Sequence, residues 1–297
     1  MYPFGKGLSR SVPYLLLVLP IALYVIFYVG PSIMSIVYSF TNVTNVVGKP
    51  YHFVGLDNYD KLFFSSNSPE RWKSIGRTLY FTFTVTIIQN IIGLFVAVII
   101  NQKLKGDKFY RSVLFLPVVL GVTVVALVWT FMMDPINGPV QKLYKLFDYS
   151  DVFFGSFDHA FNYVIFVQIW QYMGYSMLIF LAGLQSIPKD LYESGYIDGT
   201  NKWQSFKNIT FPLIAPAFTV NVLLSIIGAM QTFDIIYALT KGNFNTRTIA
   251  FDVYREIFGL GKVEQGLPAA LSVVQFLLIL VFVVIAQYVL RKREVEL

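Results

Sequence analysis

The chain has 297 residues, 56% of them hydrophobic and 17% aromatic, with only 13% charged. Soluble domains carry about 25% charged residues, so the polar surface that water requires is missing and lipid is the expected solvent. The absence of cysteine excludes disulfides, iron–sulfur clusters and thiol catalysis, and the net charge of +6 sits in short loops, which argues for topology signals and against nucleic acid.

A spanning helix needs about 20 mostly apolar residues. Six runs qualify: roughly Tyr14–Tyr38, Leu79–Ile100, Val113–Met133, Tyr163–Leu184, Leu213–Leu239 and Leu267–Leu290. The chain is therefore expected to be an all-α membrane protein with six transmembrane helices. The first run follows Lys6 and Arg10 but is too long for a signal peptide and ends in aromatics, so it reads as an uncleaved anchor. Residues 1–75 are expected to hold a tail, this first helix and a loop, and residues 76–293 the main transmembrane domain.

Six spans put both termini on one side. The loops on that side hold Lys6, Arg10, Lys103, Lys105, Lys108, Arg111, Lys189, Lys202, Lys207, Arg291, Lys292 and Arg293. The opposite loops hold almost as many, including Lys262, but they are longer. Charge packed close to span ends is what the positive-inside rule counts. Both termini are thus expected in the cytoplasm of a multi-pass protein in the cell membrane.

Enzyme chemistry is poorly represented. There is no G-x-x-x-x-G-K-[ST] phosphate loop and no H-E-x-x-H motif, and the two histidines, His52 and His159, stand in predicted external loops. No metal site and no resident cofactor are expected. Ionisable groups inside the runs are nearly lacking; Asp234 is the candidate a proton- or ion-coupled carrier would need. Uncharged polar residues are commoner: Gln89, Asn90, Gln168, Gln171, Asn221, Ser225, Gln231 and Thr232. Each must find a partner away from lipid, either in another helix or in a polar pathway. Gln168, Gln171, Tyr172 and Tyr175 recur at helical spacing as one stripe; Ser225, Gly228, Ala229 and Thr232 form a second. Amides and hydroxyls beside aromatic rings such as Trp170 suit a neutral polyhydroxylated solute.

Between the fourth and fifth runs, residues 186–212 read as a helix–turn–helix. Pro188 suits a first turn, Asp198-Gly199 a turn with positive φ, and Asn201 with Gln204 a capping box. Trp203, Phe206 and Ile209 share one face of the second helix, and Trp203 and Phe206 are expected to pack under the loop or, as the second choice, to enter a partner's cleft. Helices this short need a surface to dock on.

The pattern Glu193-Ser194-Gly195-x-x-Asp198-Gly199, followed by Phe206, Ile209 and Pro212, resembles the "EAA" loop of the membrane subunits of binding-protein-dependent ABC importers. Phe233-Asp-Ile-Ile-Tyr237-Ala-Leu-Thr, Tyr254-Arg-Glu-Ile-Phe258 and Ala269-Ala-Leu-Ser272 resemble the first permease of the maltose/glycerol-phosphate carbohydrate importers. Lys241-Gly-Asn-Phe-Asn stands where that family has Gly-Gly-Gly-Pro, so this loop is expected to be shaped differently. The resemblance implies a permease subunit that imports a carbohydrate, an oligosaccharide by preference. Two cytoplasmic ATPase subunits that bind ATP and Mg, a second related permease and an extracytoplasmic solute-binding protein would complete the importer. It also implies ATPase coupling through Glu193, Ser194, Gly195, Asp198 and Gly199. Matching outward from the loop puts Gln168, Trp170, Gln171 and Tyr172 on one wall of the solute path and Ser225, Ala229 and Thr232, near Gln231, on the other. The runner-up reading is an ion-coupled secondary transporter of a small polar solute.

Overall fold

The computed structural model describes residues 8–46, 48–66, 68–102, 105–259, 261 and 263–292, with side chains from Leu16 onward. Lys6, Lys103, Lys262 and Arg293 of the charge reading lie outside the described residues, as does the side chain of Arg10. The described residues are helical apart from loops, short turns and two isolated bridges, Thr41 with Phe53 and Thr44 with Glu264. Two compact units emerge, Met1–Ser68 with Val253–Val274, and Pro69–Asp252 with Gln275–Leu297.

In the first unit α1 (Leu8–Tyr24) runs through a π-helical turn, Val25–Val29, into α2 (Gly30–Tyr38). The stretch Leu16–Tyr38 is long and apolar enough to cross a membrane. α3 (Asp57–Phe64) is latched by Asn58, whose buried amide donates to the carbonyls of Ser39 at 2.9 Å and Thr41 at 2.8 Å.

The second unit begins with α4 (Ser68–Asn101). Its buried residues are Ser74, Thr78, Phe81, Thr82, Val85, Thr86, Gln89, Asn90, Gly93, Ala97 and Ile100, a stripe of mostly polar and small side chains at helical spacing. Phe83, Ile87, Ile91 and Phe95 point outward. This inversion is what lipid demands, since polar groups must find partners inside the bundle and small residues let helices approach.

Next come α5 (Asp107–Val119), α6 (Val122–Met132), α7 (Pro139–Lys145), α8 (Ala160–Gln185), α9 (Lys189–Ile197), α10 (Lys202–Ser205), α11 (Phe211–Leu213), α12 (Ala215–Gln231), α13 (Asp234–Thr240), α14 (Ile249–Phe258) and α15 (Gly266–Arg291). The last two cross the division between the units. Four of the six expected spans are single helical runs, and the third and fifth are bent helix pairs. Val113–Met133 is not one straight helix: α5 and α6 meet at 100°. Leu120 and Gly121 are extended there, with Pro117 one turn before, where proline cannot donate back along the helix. Leu213–Leu239 is broken twice, by a 66° bend between α11 and α12 and by extended Thr232 after Gln231. Asp234 therefore opens a separate short helix instead of lying within a span. The Lys241–Asn245 turn takes left-handed backbone at Lys241, Gly242, Phe244 and Asn245, with Gly242 against the Phe251 ring.

The loop before α8 is organised by Asp151, whose side chain is only 5% exposed. It accepts hydrogen bonds from the Tyr163 hydroxyl at 2.8 Å and the Phe153 N–H at 3.1 Å, and pairs with His159 Nδ1 at 2.8 Å. Burial alone would raise its pKa; these bonds outweigh burial and hold the carboxyl below its ordinary value. A depressed carboxyl contributes stability above its unfolded pKa of about 3.9 and loses it as pH falls through the folded value. Asp151→Asn is thus expected to lower the melting temperature at neutral pH, with the gap to wild type closing as pH falls below about 4; melting curves across this range test it.

Candidate functional site

α4, α5, α8, α12 and the start of α13 surround a cavity of about 420 Å3. Its lining includes the polar side chains Gln89, Gln168, Tyr172, Tyr175, Asn221, Ser225, Gln231 and Thr232, with Val85, Val118, Leu224 and Phe233 as apolar patches. Among the described residues, Asp234 is the one charged residue in this lining, which holds no lysine, arginine or histidine.

The walls are braced by hydrogen bonds across three helices. Gln89 donates to Ser176 Oγ at 2.8 Å, tying α4 to α8, and Asn90 donates to Ser225 Oγ at 3.1 Å, tying α4 to α12. Ser225 Oγ donates to the Asn221 carbonyl at 2.8 Å. Close backbone approach completes the brace. A β-carbon on Gly93 would meet that of Ser176 at 2.7 Å, and one on Gly183 that of Ala217 at 2.6 Å.

The structure gathers Gln168, Tyr172, Ser225, Ala229, Gln231 and Thr232 of the expected wall residues around this cavity. Trp170 and Gln171 are not in its lining. Trp170 turns to an edge-on contact with Trp129, centroids 5.3 Å apart, in the bundle core. Gln171 is 1% exposed and donates to the Leu120 carbonyl at 3.3 Å, at the α5–α6 break. An interrupted helix leaves carbonyls without their usual partners, so the Gln171 amide nitrogen is spent on the backbone, while its Oε1 is buried with no hydrogen-bond partner among the described residues. Gln89 and Asn221 were visible as polar residues in apolar runs, but their helix-to-helix placement needed the fold. Val118 and Leu224 carry no signal of their own.

The second candidate element is the loop Pro188–Pro212. Pro188 caps α9, and α9 ends at Asp198-Gly199, with Gly199 at φ +77°. The Thr200 N–H and hydroxyl both donate to the Gly195 carbonyl, at 3.0 and 2.7 Å. Asn201 and Gln204 exchange the two bonds of a capping box, at 2.8 and 2.9 Å. Tyr192 pairs with Thr210 at 3.0 Å. Glu193, Ser194, Asp198 and Gly199 lie exposed together, whereas Gly195 is buried, where a β-carbon would meet Ile209 Cδ1 at 2.9 Å. Phe206 is half-buried, but Trp203 does not pack beneath the loop: it is 70% exposed and stacked on Phe206 at 5.8 Å. Tyr196 and Ile197 are exposed as well, at 82% and 84%, and sequence reading missed Ile197. An apolar residue at a turn carries no signal until its exposure is known.

Residues 89–295 match the family described as binding-protein-dependent transport system inner membrane component. The chain belongs to that family. It is accordingly an integral membrane protein of permease type. It is 33% identical to the probable starch degradation products transport system permease protein AmyD of Thermoanaerobacterium thermosulfurigenes, over 99% of both chains. It is 32% identical to the sn-glycerol-3-phosphate transport system permease protein UgpA of Pectobacterium atrosepticum, over 93% of each. Identity to the trehalose/maltose transport system permease protein MalF of Thermococcus litoralis is 33%, over 82% of this chain and 81% of that one. Among solved structures, a bacterial ABC transporter involved in import of the acidic polysaccharide alginate has a chain with the same fold. The TM-score is 0.82 at 22% identity, covering 97% of this chain and 98% of that one.

The α8 wall depends on Gly174, where a β-carbon would collide with the Leu114 carbonyl of α5. Gly174→Val should destabilise the bundle by about 1–3 kcal/mol, whereas Gly76→Ala, with nothing within 4 Å of the new carbon, should not. Thermal unfolding of the two purified variants compares them directly.

Proposed function

We propose that this chain is one membrane subunit of an ABC importer that carries a neutral carbohydrate, by preference an oligosaccharide, across the cytoplasmic membrane. The observation that carries the reading is the cavity between α8 and α12, whose amides, hydroxyls and aromatic rings are uncharged except for one carboxylate. Sugars offer hydroxyls to such groups and C–H faces to such rings. The names of the relatives support the class: starch degradation products, trehalose and maltose. Family membership sets aside the ion-coupled alternative. We assign solute contact to Gln168, Tyr172, Ser225, Ala229, Gln231 and Thr232, and a positioning role to Trp170 and Gln171.

The chain has no phosphate-binding loop in its sequence, so it is not itself an enzyme in this reading. ATP and Mg are held by two partner ATPase subunits. A second, related permease completes the pathway, and an extracytoplasmic binding protein delivers the solute, as the alginate transporter bound to its periplasmic protein suggests for that system. Both termini face the cytoplasm. Residues 76–293 form the transporting domain and residues 1–75 its leading helix and loop. Coupling runs through the exposed patch of Glu193, Ser194, Asp198 and Gly199, with Gly195 letting α9 pack tightly beneath it. Tyr196 and Ile197 add apolar contact. When the ATPases close on ATP, this patch moves and the spans exchange which side the cavity faces.

Gly199→Val puts a branched side chain where backbone φ is +77°. Substrate-stimulated ATPase activity of the assembled complex should fall by about tenfold or more; full stimulation would refute the coupling role. Tyr172→Ala removes an aromatic face from the cavity and should raise the half-saturating carbohydrate concentration for uptake about tenfold, while basal ATPase activity stays intact. Unchanged saturation in vesicle uptake assays would remove Tyr172 from the site.

A further inference from the structure

A second cavity, of about 580 Å3, lies where the end of α4, the start of α5, the end of α8 and the first residues of α9 meet. Its hydrogen-bonding capacity is lopsided. Asp107 is the acid in its lining, and both carboxylate oxygens are already engaged: Oδ1 accepts from the Lys108 N–H at 2.7 Å and Oδ2 from Arg111 Nη2 at 3.0 Å. The donors are not used up. The Arg111 side chain is 31% exposed and, among the described residues, its guanidinium donates only from Nη2, to Asp107, which leaves Nη1 unspent. Lys189 lines the same cavity, exposed, and makes no hydrogen bond or ion pair among the described residues. The amides of Asn101 and Gln185 flank them, and Leu184 and Ile187 supply an apolar floor.

Two cations with unspent N–H groups, and an acid whose oxygens are spoken for, leave a site that lacks an anion with several acceptor oxygens. A planar guanidinium beside a mobile ammonium suits phosphate, which takes charge-assisted bonds from both. The volume is several times that of a bare phosphate, and the apolar floor leaves room for what the phosphate is attached to. We propose that this cavity binds a phosphate group, carried either by a phospholipid headgroup or by a soluble phosphorylated compound. Bound there, it ties the first turn of α9 to the end of α4 and the start of α5. The site shares no lining residue with the solute cavity, and its occupancy does not depend on the role proposed for α9.

The test uses the transporter assembled with its partner subunits, in nanodiscs of phosphatidylcholine alone or of equal parts phosphatidylcholine and phosphatidylglycerol. Native mass spectrometry measures retained phosphatidylglycerol, and calorimetric titration of the phosphatidylcholine sample measures affinity for inorganic phosphate. Against wild type, the double variant Arg111→Gln/Lys189→Gln should retain or bind about tenfold less. Lys189→Gln alone, on an exposed side chain outside the packed core, should lose about threefold. A deficit confined to phosphatidylglycerol assigns the site to a lipid, and one confined to inorganic phosphate assigns it to a soluble ligand. Equal values for wild type and both variants with both probes, or no binding of either probe by wild type, would overturn the proposal.

Discussion

A polar group facing hydrocarbon has nothing to bond to, and the second unit is built around that constraint. α4 turns Ser74, Thr78, Gln89 and Asn90 inward and Phe83, Ile87 and Phe95 outward, the reverse of a water-soluble helix. The inward groups are not merely hidden. Gln89 reaches Ser176 and Asn90 reaches Ser225, so one helix sets the spacing of α8 and α12 through side-chain bonds. Where α8 crosses α5 and α12, Gly174 and Gly183 let backbones approach to distances that any side chain would prevent. A cavity bounded by these helices inherits both features: close walls, and walls whose polar groups point inward.

That origin explains the chemistry of the cavity. Groups selected to satisfy one another across helices are amides and hydroxyls, because a lone charge in the same place is costly. The same groups, left partly unspent along an opening, offer a solute uncharged hydrogen bonding. Asp234 stands apart because it begins the short helix α13, beyond the extended Thr232 that ends α12. The proposed phosphate site has a different balance, with two cations for one acid, and it lies where helices end and chain turns begin.

Much of this architecture was legible from residue order. Length and hydropathy located the six apolar segments, and the local rules for proline, glycine and the Asn201–Gln204 capping box described α9 and α10 before any coordinates. Local rules succeeded where the bonds are local. They failed at the two breaks. Pro117 and Gly121 are ordinary enough in an apolar run, and the Leu120 carbonyl at the 100° turn between α5 and α6 is met by Gln171 from another helix. Gln171 was accordingly read as a wall residue, its stripe position correct and its partner invisible. Trp203 failed in the same way, since exposure of a large aromatic is decided by what lies above it.

The loop between α8 and α12 closes almost all its hydrogen bonds upon itself: Thr200 onto Gly195, Asn201 onto Gln204 and back, Tyr192 onto Thr210. With Gly195 wedged against Ile209 there is little room for it to yield internally. Such a knot has no slack. A displacement at its tip would be carried by the loop as one body, as in a linkage without backlash, and the compliance of the chain is left to its interrupted spans, the 66° bend between α11 and α12 among them.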